Sequence, residues 1–445
     1  MLDRITPAVH LLEKRGCGAV LLHTRSQVSS QRRREQLVGR LQVVGATVVD
    51  GSGRDPVDVD VTIEDGRITR LGAASAPGER LDAGGLTMTP GLIDAHVHLG
   101  LSSPIQPQFS FQLSAAEIAA DIFATAGATL DAGFTTVRDT GGIDGGVVTT
   151  IAKGKVRGPR VLSCGPVQCQ TGGHGYYGAD WEPTELWNSH HIPGLCALSM
   201  MSGNADELRG NVREAFRRGA SFLKLCVTGG VVSAHDQLTD TQFTVEEIAV
   251  AVQEAAARRT YVTVHAHNNE GIRNAVEAGV RCVEHGTDLD EDTATLMVTR
   301  EVALVPTFAV VEQLLRDTAG AGLGESTRDR VLGVRERMAE ALAVAKAAGV
   351  RIGLGSDLIG PAQGRRGDEL RLRAELETPM EALVAATKTN AEILGLSSQV
   401  GLIAPGMQAD LVLWNGNPLE NPSLFADPAN AVLVVQAGRV VKDLR

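Results

Sequence analysis

Two histidines, one residue apart, end a short apolar run near the first quarter of the chain. His96 and His98 stand in GLIDAHVHLG (91–100), and the apolar residues before them predict a buried β-strand. Side chains two residues apart on a strand point the same way, so both imidazoles face one side. A single histidine in a strand is more often a core or surface group. The pair becomes a candidate metal site only if further ligands lie beside it.

Polar side chains also stand near the ends of four later apolar runs, each of which predicts a strand. They are Lys224 in KLCVTGG, His265 and His267 in TVHAHN, His285 in EHGT, and Asp357 in GSD. If these strands are parallel neighbours, their carboxyl ends meet and these groups converge with the first two histidines. Imidazole and carboxylate suit zinc, manganese, iron or cobalt, and zinc is the usual choice in hydrolytic sites. The pattern predicts a metal site whose bound water is activated as a hydroxide nucleophile.

The elements that must position these groups alternate between strand and helix. Eight short apolar runs occur within residues 90–397, and helical patterns such as ADELRGNVREAFRRGA separate most of them. Eight β-α units in one run predict a closed, parallel (β/α)8 barrel, with an open doubly wound sheet as the competing fold. The β-rich segments 41–89 and 398–445 flank this region and are expected to pair as one small β-sandwich domain. Residues 1–40 are basic and weakly periodic, and we expect a loosely ordered N-terminal extension.

Charge and composition restrict the partners. The formal net charge of −11 argues against nucleic acid, which is bound through a basic surface. No run of eighteen apolar residues occurs, so no membrane association is expected. The expected partner is a small-molecule substrate, and the protein is expected to be cytoplasmic and a homo-oligomer.

The ordered motifs resemble those of the metal-dependent amidohydrolase superfamily. They are GLIDAHVHLG, KLCVTGG, TVHAHN, EHGT and GSD, with TPGLIDAHVH and IAPGMQADLVLWNG at the flanks. Within it, residues 41–445 resemble the branch of imidazolonepropionase-related proteins, prolidase-like dipeptidases and ochratoxinase-type amidases. The resemblance implies a (β/α)8 barrel with a small sandwich built from both chain ends.

The resemblance also implies a site with two divalent metal ions, expected to be zinc. In this branch the lysine of K-x-x-x-T-G-G is carboxylated by CO2 and bridges the metals, a role implied here for Lys224. His96, His98 and Asp357 would hold one ion, and His265 and His285 the other. A carbamate fits this place because it supplies anionic oxygens, whereas an ammonium would repel two dications.

The remaining candidates concern proton transfer and substrate contact. Asp357 is expected to accept the proton of the bridging water and return it to the leaving nitrogen. His267 is the candidate for polarising the scissile carbonyl, with hydrogen bonding behind the ligands as the alternative. In the loop segment QTGGHGYYGADW (170–181), His174 and Tyr176 are candidate substrate contacts, and a structural turn is the alternative. Arg365 and Arg366 either bind a substrate carboxylate or form an exposed loop charge pair.

The predicted function is hydrolysis of a C–N amide bond in a small peptide-like substrate, a dipeptide or an N-acyl amino acid. A cyclic amide or amidine hydrolase, as in imidazolonepropionases or hydantoinases, and a deaminase remain as alternatives. A third alternative is a catalytically silent barrel that serves as a scaffold, although a complete ligand set has no structural reason to occur there.

Overall fold

The computed structural model describes residues 39–73, 77–104, 108, 112–232, 235–321 and 325–445. The predicted extension, residues 1–40, lies outside these residues except for Gly39 and Arg40. Strand β1 begins at Arg40, one residue before the predicted start of the β-rich segment.

The strands follow one another along the whole described chain. In order they are β1 (Arg40–Val44), β2 (Thr47–Val48), β3 (Val57–Asp58), β4 (Val61–Glu64), β5 (Arg67–Leu71), β6 (Glu79–Asp82), β7 (Thr87–Pro90), β8 (Leu92–Val97), β9 (Phe134–Asp139), β10 (Gly142–Ile143), β11 (Arg160–Ser163), β12 (Val167–Gln170), β13 (His191–Ile192), β14 (Cys196–Ala197), β15 (Ser199–Ser202), β16 (Leu223–Cys226), β17 (Val262–Ala266), β18 (Cys282–His285), β19 (Ala303–Val305), β20 (Leu411–Trp414), β21 (Ala431–Gln436) and β22 (Arg439–Asp443).

Helices separate most strands of the middle region, as the sequence predicts. They are α1 (Ala115–Asp131), α2 (Gly145–Ala152), α3 (Thr184–Asn188), α4 (Ala205–Arg217), α5 (Val245–Ala256), α6 (Asn269–Ala278), α7 (Glu291–Thr299), α8 (Phe308–Ala321), α9 (Glu325–Ala348), α10 (Asp368–Leu376), α11 (Pro379–Val384), α12 (Asn390–Leu394) and α13 (Ser423–Ala426). Ser114 and Thr244 begin α1 and α5 with capping boxes, in which each side chain accepts from a backbone N–H of the first turn. No helix of the described residues is long and apolar enough to cross a bilayer.

Parallel pairing joins most strands of the middle region in chain order, with β15 on the outer side of β12 as the exception. β8 pairs with β9 and β9 with β11. A second parallel sheet has the order β15-β12-β16-β17-β18-β19. The N–H of Ser221 donates to the carbonyl of Ser163 (2.8 Å) and connects the two groups. The carboxyl ends of these strands therefore lie along one edge, where the polar groups of the motifs are found.

The last predicted strand, in RIGLGSD, is a parallel bridge rather than a regular strand. Ile352 bridges Leu304 of β19, and the N–H of Ala95 in β8 donates to the carbonyl of Leu354 (3.0 Å). The side-chain amide of Asn390 accepts from the Leu354 N–H (3.0 Å) and donates to its carbonyl (2.8 Å). This segment lies between β19 and β8 and hydrogen-bonds to both. It does not form a regular strand, because the side chain of Asn390 takes the place of a neighbouring backbone at Leu354.

The two ends of the chain pair in one sheet, as the sequence predicts. Its order is β22-β21-β20-β7-β2-β3, and the C-terminal strand β20 lies antiparallel beside the N-terminal strand β7. A second sheet, β5-β4-β1-β6, comes from the N-terminal segment alone. Val43, Met88 and Leu413 belong to one buried cluster formed by both sheets. Asp65 and Gly66 adopt positive φ at the predicted turn between β4 and β5.

Candidate metal centre

His96, His98 and Asp357 meet at the end of β8. The Oδ1 atom of Asp357 lies 3.2 Å from His98 Nε2 and 3.4 Å from His96 Nε2, and the two Nε2 atoms are 3.3 Å apart. Burial alone raises the pKa of the Asp357 carboxyl, but the charges and hydrogen bonds of the two imidazoles hold that pKa well below its ordinary value. Three of the predicted ligands are thus brought together with an ionised carboxylate among them.

The backbone brings the last apolar run close against β8. The N–H of Asp357 donates to the carbonyl of His96 (2.8 Å). A Cβ atom at Gly355 would lie 2.4 Å from the Cβ of His96, so only glycine fits at this crossing. Asp357 has φ 55°, in the left-handed region that non-glycine residues rarely adopt. These two residues of the GSD motif therefore have separate roles. Gly355 lets the backbone pass close to His96, and the backbone conformation of Asp357 sets the direction of its carboxylate.

His265, His267 and His285 form a second group beside the first. One ring nitrogen from each lies within 4.8 Å of the others, and His285 makes a similar group with His96 and Asp357. Burial lowers the pKa of His267 to about 3, and burial together with neighbouring imidazoles lowers the pKa of His265 and His285 well below the ordinary value. These imidazoles are therefore neutral at physiological pH, the state in which a ring nitrogen can bind a metal.

The second nitrogen of each imidazole is held by another group. The pairs are His96 Nδ1 with Glu284 (2.8 Å), His98 Nδ1 with the Gly141 carbonyl (2.8 Å), His265 Nε2 with the Gly229 carbonyl (3.2 Å), His267 Nδ1 with the Thr287 hydroxyl (2.7 Å), and His285 Nδ1 with the Thr307 hydroxyl (2.8 Å). Such partners fix ring orientation and direct the remaining nitrogen toward a ligand.

Lys224 lies in the same cavity, in β16. Its side chain is buried, with 3% of the residue exposed, and it lines the cavity together with the clustered histidines. Within the described chain it forms no hydrogen bond or ion pair. An unpaired ammonium in this position would be costly, which makes Lys224 an unusual residue for a buried strand.

Glu284 is a site residue that the sequence analysis missed. It is fully buried in β18, where its Oε2 faces His96 and its Oε1 accepts from Arg138 Nη2 (2.6 Å) and from the hydroxyl of Thr263. Burial by itself raises the pKa of Glu284, but Arg138 and His96 hold that pKa far below its ordinary value. The sequence signal was a glutamate directly before His285 inside an apolar strand, where an unpaired carboxylate would be costly.

The two candidate substrate contacts in the loop, His174 and Tyr176, differ in their position relative to the cavity. His174 lines the cavity and stacks on His265 with ring centroids 4.3 Å apart. Tyr176 does not line the described part of the cavity, because its hydroxyl donates to the carbonyls of Ala179 and Glu182 within its own loop. Tyr177 contributes to the described lining instead, so the structure does not support the prediction of Tyr176 as a substrate contact.

Neither arginine of the RRG segment reaches the cavity in the described structure. Arg366 is fully buried and binds Ser356 (3.1 Å) and Gln363 (2.6 Å), because the chain folds it beneath the GSD segment. Arg365 is largely exposed and pairs with Asp368 (2.9 Å). Of the two alternatives, carboxylate binding is not supported for either side chain in the described structure, and Arg366 is not exposed. Arg365 forms a charge pair, and Arg366 supports the loop that carries Asp357.

The cavity, the imidazole cluster and the strand order together match a known family. The model of the amidohydrolase family matches residues 87–441, which is most of the chain. The chain belongs to the amidohydrolase family. It is therefore a hydrolase that acts on carbon–nitrogen bonds, as the sequence motifs predict, and the family implies the TIM-barrel fold.

Individual amidohydrolases are similar over most of the chain. Ochratoxinase of Aspergillus niger is 31% identical over 366 residues, covering 80% of this chain and 75% of the relative. The solved structure of a prolidase with N-methylphosphonate-L-proline has a TM-score of 0.84 and 34% identity, covering 91% of this chain and all of that one. An imidazolonepropionase of Cereibacter sphaeroides is 27% identical over 413 residues, covering 85% and 93% of the two chains. These relatives confirm the predicted branch.

The donor set fits the divalent metals that amidohydrolases typically bind. Two overlapping groups of buried imidazoles, one of them with a carboxylate, offer neutral nitrogen and anionic oxygen atoms at close range. Such donors suit zinc and other first-row divalent ions. His267 belongs to one of these groups, so its geometry permits a ligand role as well as the predicted contact with a substrate carbonyl.

Proposed function

We propose that this amidohydrolase uses two divalent metal ions to hydrolyse a C–N amide bond in a small peptide-like substrate, a dipeptide or an N-acyl amino acid. The parallel strands would form a closed (β/α)8 barrel, with a β-sandwich domain built from residues 41–89 and 398–445. The observation that carries the proposal is the convergence of five histidines, four of them buried, with Lys224 and Asp357 on one cavity.

Two groups of side chains would hold the metals. His96, His98 and Asp357 would bind one ion, His265 and His285 the other, and Lys224 would bridge them as its carbamate. When bound, zinc or a similar ion supplies Lewis acidity and lowers the pKa of water toward neutrality. Glu284 and the threonine partners keep the imidazoles oriented, so the donors need little rearrangement on binding.

Asp357 would transfer protons in the reaction, and His267 would bind the scissile carbonyl group. The Asp357 carboxylate faces His98 through Oδ1 and His285 through Oδ2 (3.9 Å), which places it between the two groups of ligands. It would accept a proton from the attacking water and donate it to the leaving nitrogen, so that the amine departs neutral. The imidazole of His267, held by Thr287, would hydrogen-bond the scissile carbonyl oxygen.

A second candidate is hydrolysis of a cyclic amide or amidine. The similarity to an imidazolonepropionase favours it. The position of Lys224 inside the cluster favours a bridged pair of metals over a deaminase, because a single-metal deaminase site has no use for a bridging ligand. Linear and cyclic amides are both compatible with a bridged pair and are separated by experiment.

A substrate screen separates these candidates. We expect metal-loaded protein to hydrolyse dipeptides or N-acyl amino acids with a higher kcat/KM than cyclic amides of similar size. Turnover confined to cyclic amides would favour the second candidate. Absence of turnover on all three classes, with full metal content, would contradict amide hydrolysis.

A further inference from the structure

An aliphatic surface forms much of the cavity that contains the imidazole cluster. We define the aliphatic wall by the lining side chains of the helix pair α8 and α9. Its members are Val310, Val311, Leu314, Val331, Val334 and Met338. The cavity has a volume of about 340 Å³, which is in the range of pockets that enclose small organic ligands.

The aliphatic wall is backed by a packed core. Val311, Val331, Val334 and Met338 are buried in one cluster with Phe308 and other apolar residues of the same helices. A wall with this backing has little freedom to move aside or to be rebuilt around a polar ligand. A substrate therefore has to match the shape and the apolar character of the wall.

Charged side chains are sparse along the described lining. Apart from histidines, the charged members are Lys224 and Asp357, and both belong to the proposed metal site. Arg337 of α9 pairs with Asp288 (2.6 Å), and Arg330 Nη1 is directed to the carbonyl of Val231 (3.5 Å). A carboxylate or ammonium placed on the aliphatic wall would lose its hydration without gaining a partner there.

We propose that the aliphatic wall binds an uncharged apolar acyl group, so that the substrates are N-acyl compounds with a hydrophobic acyl chain rather than dipeptides with a charged amino terminus. This inference rests on the proposed function, since it assumes that the scissile amide lies at the imidazole cluster. Each methylene that the wall covers is expected to raise kcat/KM about three- to fourfold.

Two substrates that differ only at the end of the acyl chain provide the test. N-hexanoyl-glycinamide and N-adipoyl-glycinamide share the same amide and chain, but the first ends in a methyl group and the second in a carboxylate. We expect kcat/KM of the wild-type protein to be at least about tenfold higher for the hexanoyl compound. An equal or higher value for the adipoyl compound would overturn the inference while leaving amide hydrolysis intact.

Arginine substitutions within the wall should change this preference. Leu314→Arg places a guanidinium on the wall at a partly exposed position, and we expect it to reduce the hexanoyl-to-adipoyl ratio by about tenfold or more. Val310→Arg, one helical turn away and also partly exposed, is a second variant in case the first does not fold. Val298→Arg on α7, at a position that is 41% exposed, is the matched control and should leave the ratio unchanged. A ratio that no wall variant alters would contradict the proposal.

A binding measurement tests the wall separately from catalysis. Calorimetric titration of metal-free protein with hexanamide and with adipamate reports contacts that need no metal. We expect the neutral amide to bind more tightly and the Leu314→Arg protein to lose that preference. Tighter binding of adipamate by the wild-type protein would contradict the wall's role. Missing turnover alongside tight hexanamide binding would count against the proposed reaction and not against the wall.

Discussion

Lys224 is a buried amine among imidazoles, and its chemistry can be tested by substitution. Because alanine cannot supply a bridging oxygen, Lys224→Ala should lose at least one metal and nearly all turnover. Lys224→Arg should also fail, since a guanidinium keeps its charge and cannot be carboxylated. Acetate should restore part of the activity of the alanine variant only. Metal content and rate are the measurements, and a Lys224→Arg protein with unchanged values would make Lys224 an ordinary strand lysine.

Glu284 acts on the site through its contact with His96, so its substitution should change the affinity for metal. Glu284→Gln keeps the size of the side chain but removes the charge that faces His96 and Arg138. We expect metal affinity to fall by about 10- to 100-fold, as for other carboxylates that orient a histidine ligand. Competition with a chelator measures this affinity. Glu277→Gln, on the exposed face of α6, is the control, and equal affinities for both variants would contradict a positioning role.

The site residues differed in how far the sequence could predict them. His96 and His98 end one apolar run, and strand periodicity was sufficient to place both imidazoles on one side. Asp357 ends a different run, and its place beside them was predicted from the meeting of strand ends in a parallel barrel. Glu284 was missed because its partners Arg138 and Thr263 lie far away in the sequence and meet only through strand pairing. Tyr176 and Tyr177 are neighbours in a loop, and no periodicity indicates which of them faces the cavity.

At the scale of elements, helix α2 depends on a buried carboxylate at its start. Asp144 accepts from the N–H groups of Gly145 (2.8 Å) and Gly194 (3.1 Å) and pairs with Arg218 (2.6 Å). Burial raises the pKa of Asp144, but Arg218 and the N–H groups outweigh it and lower that pKa below its ordinary value.

Asp144→Asn keeps a capping oxygen but loses the charge that pairs with Arg218, and it should therefore destabilise the protein by about 1.5–3 kcal/mol at neutral pH. Because the folded pKa is depressed, the stabilisation is present above the unfolded pKa and is lost as pH falls through the folded pKa. The difference in melting temperature between wild type and variant should shrink in acid. Asp131→Asn, which affects a more exposed pair with Arg157, is the control and should change little. A difference that grows in acid would contradict this role.

Apolar periodicity was sufficient to predict which segments form helices. It was not sufficient to predict the irregular backbone of the last apolar run, which ends in Asp357. Helix α4 lies where the pattern ADELRGNVREAFRRGA predicts it, and α1, α4 and α5 all have helix-capping residues at their starts. The run that ends in Asp357 reads as a strand, yet its bonding is shared with the side chain of Asn390. A side chain supplied by a distant helix leaves no trace in the local pattern, so the irregular backbone could not be foreseen.

At the scale of the whole molecule, Trp414 connects the C-terminal strands to the rest of the protein. It is fully buried, its Nε1 donates to Thr89 (2.9 Å), and it packs in one cluster with Leu92 and Phe134 of the parallel sheet. Trp414→Ala should cost about 3–5 kcal/mol in stability. Trp181→Ala, at a position that is 87% exposed, should change stability by less than about 0.5 kcal/mol. Similar unfolding midpoints for both variants would contradict this connection.

The metal content of the purified protein tests the central claim most directly. Protein prepared without chelator should contain about two divalent metal ions per chain, because the two groups of ligands share one cavity with Lys224, the proposed bridge. Elemental analysis of the wild-type protein beside Lys224→Ala makes the comparison specific to this site. We predict about two ions in the wild type and no more than one in the variant. A wild-type value that stays near zero would contradict a metal centre at this cluster, and equal values above zero for both proteins would contradict the bridging role of Lys224.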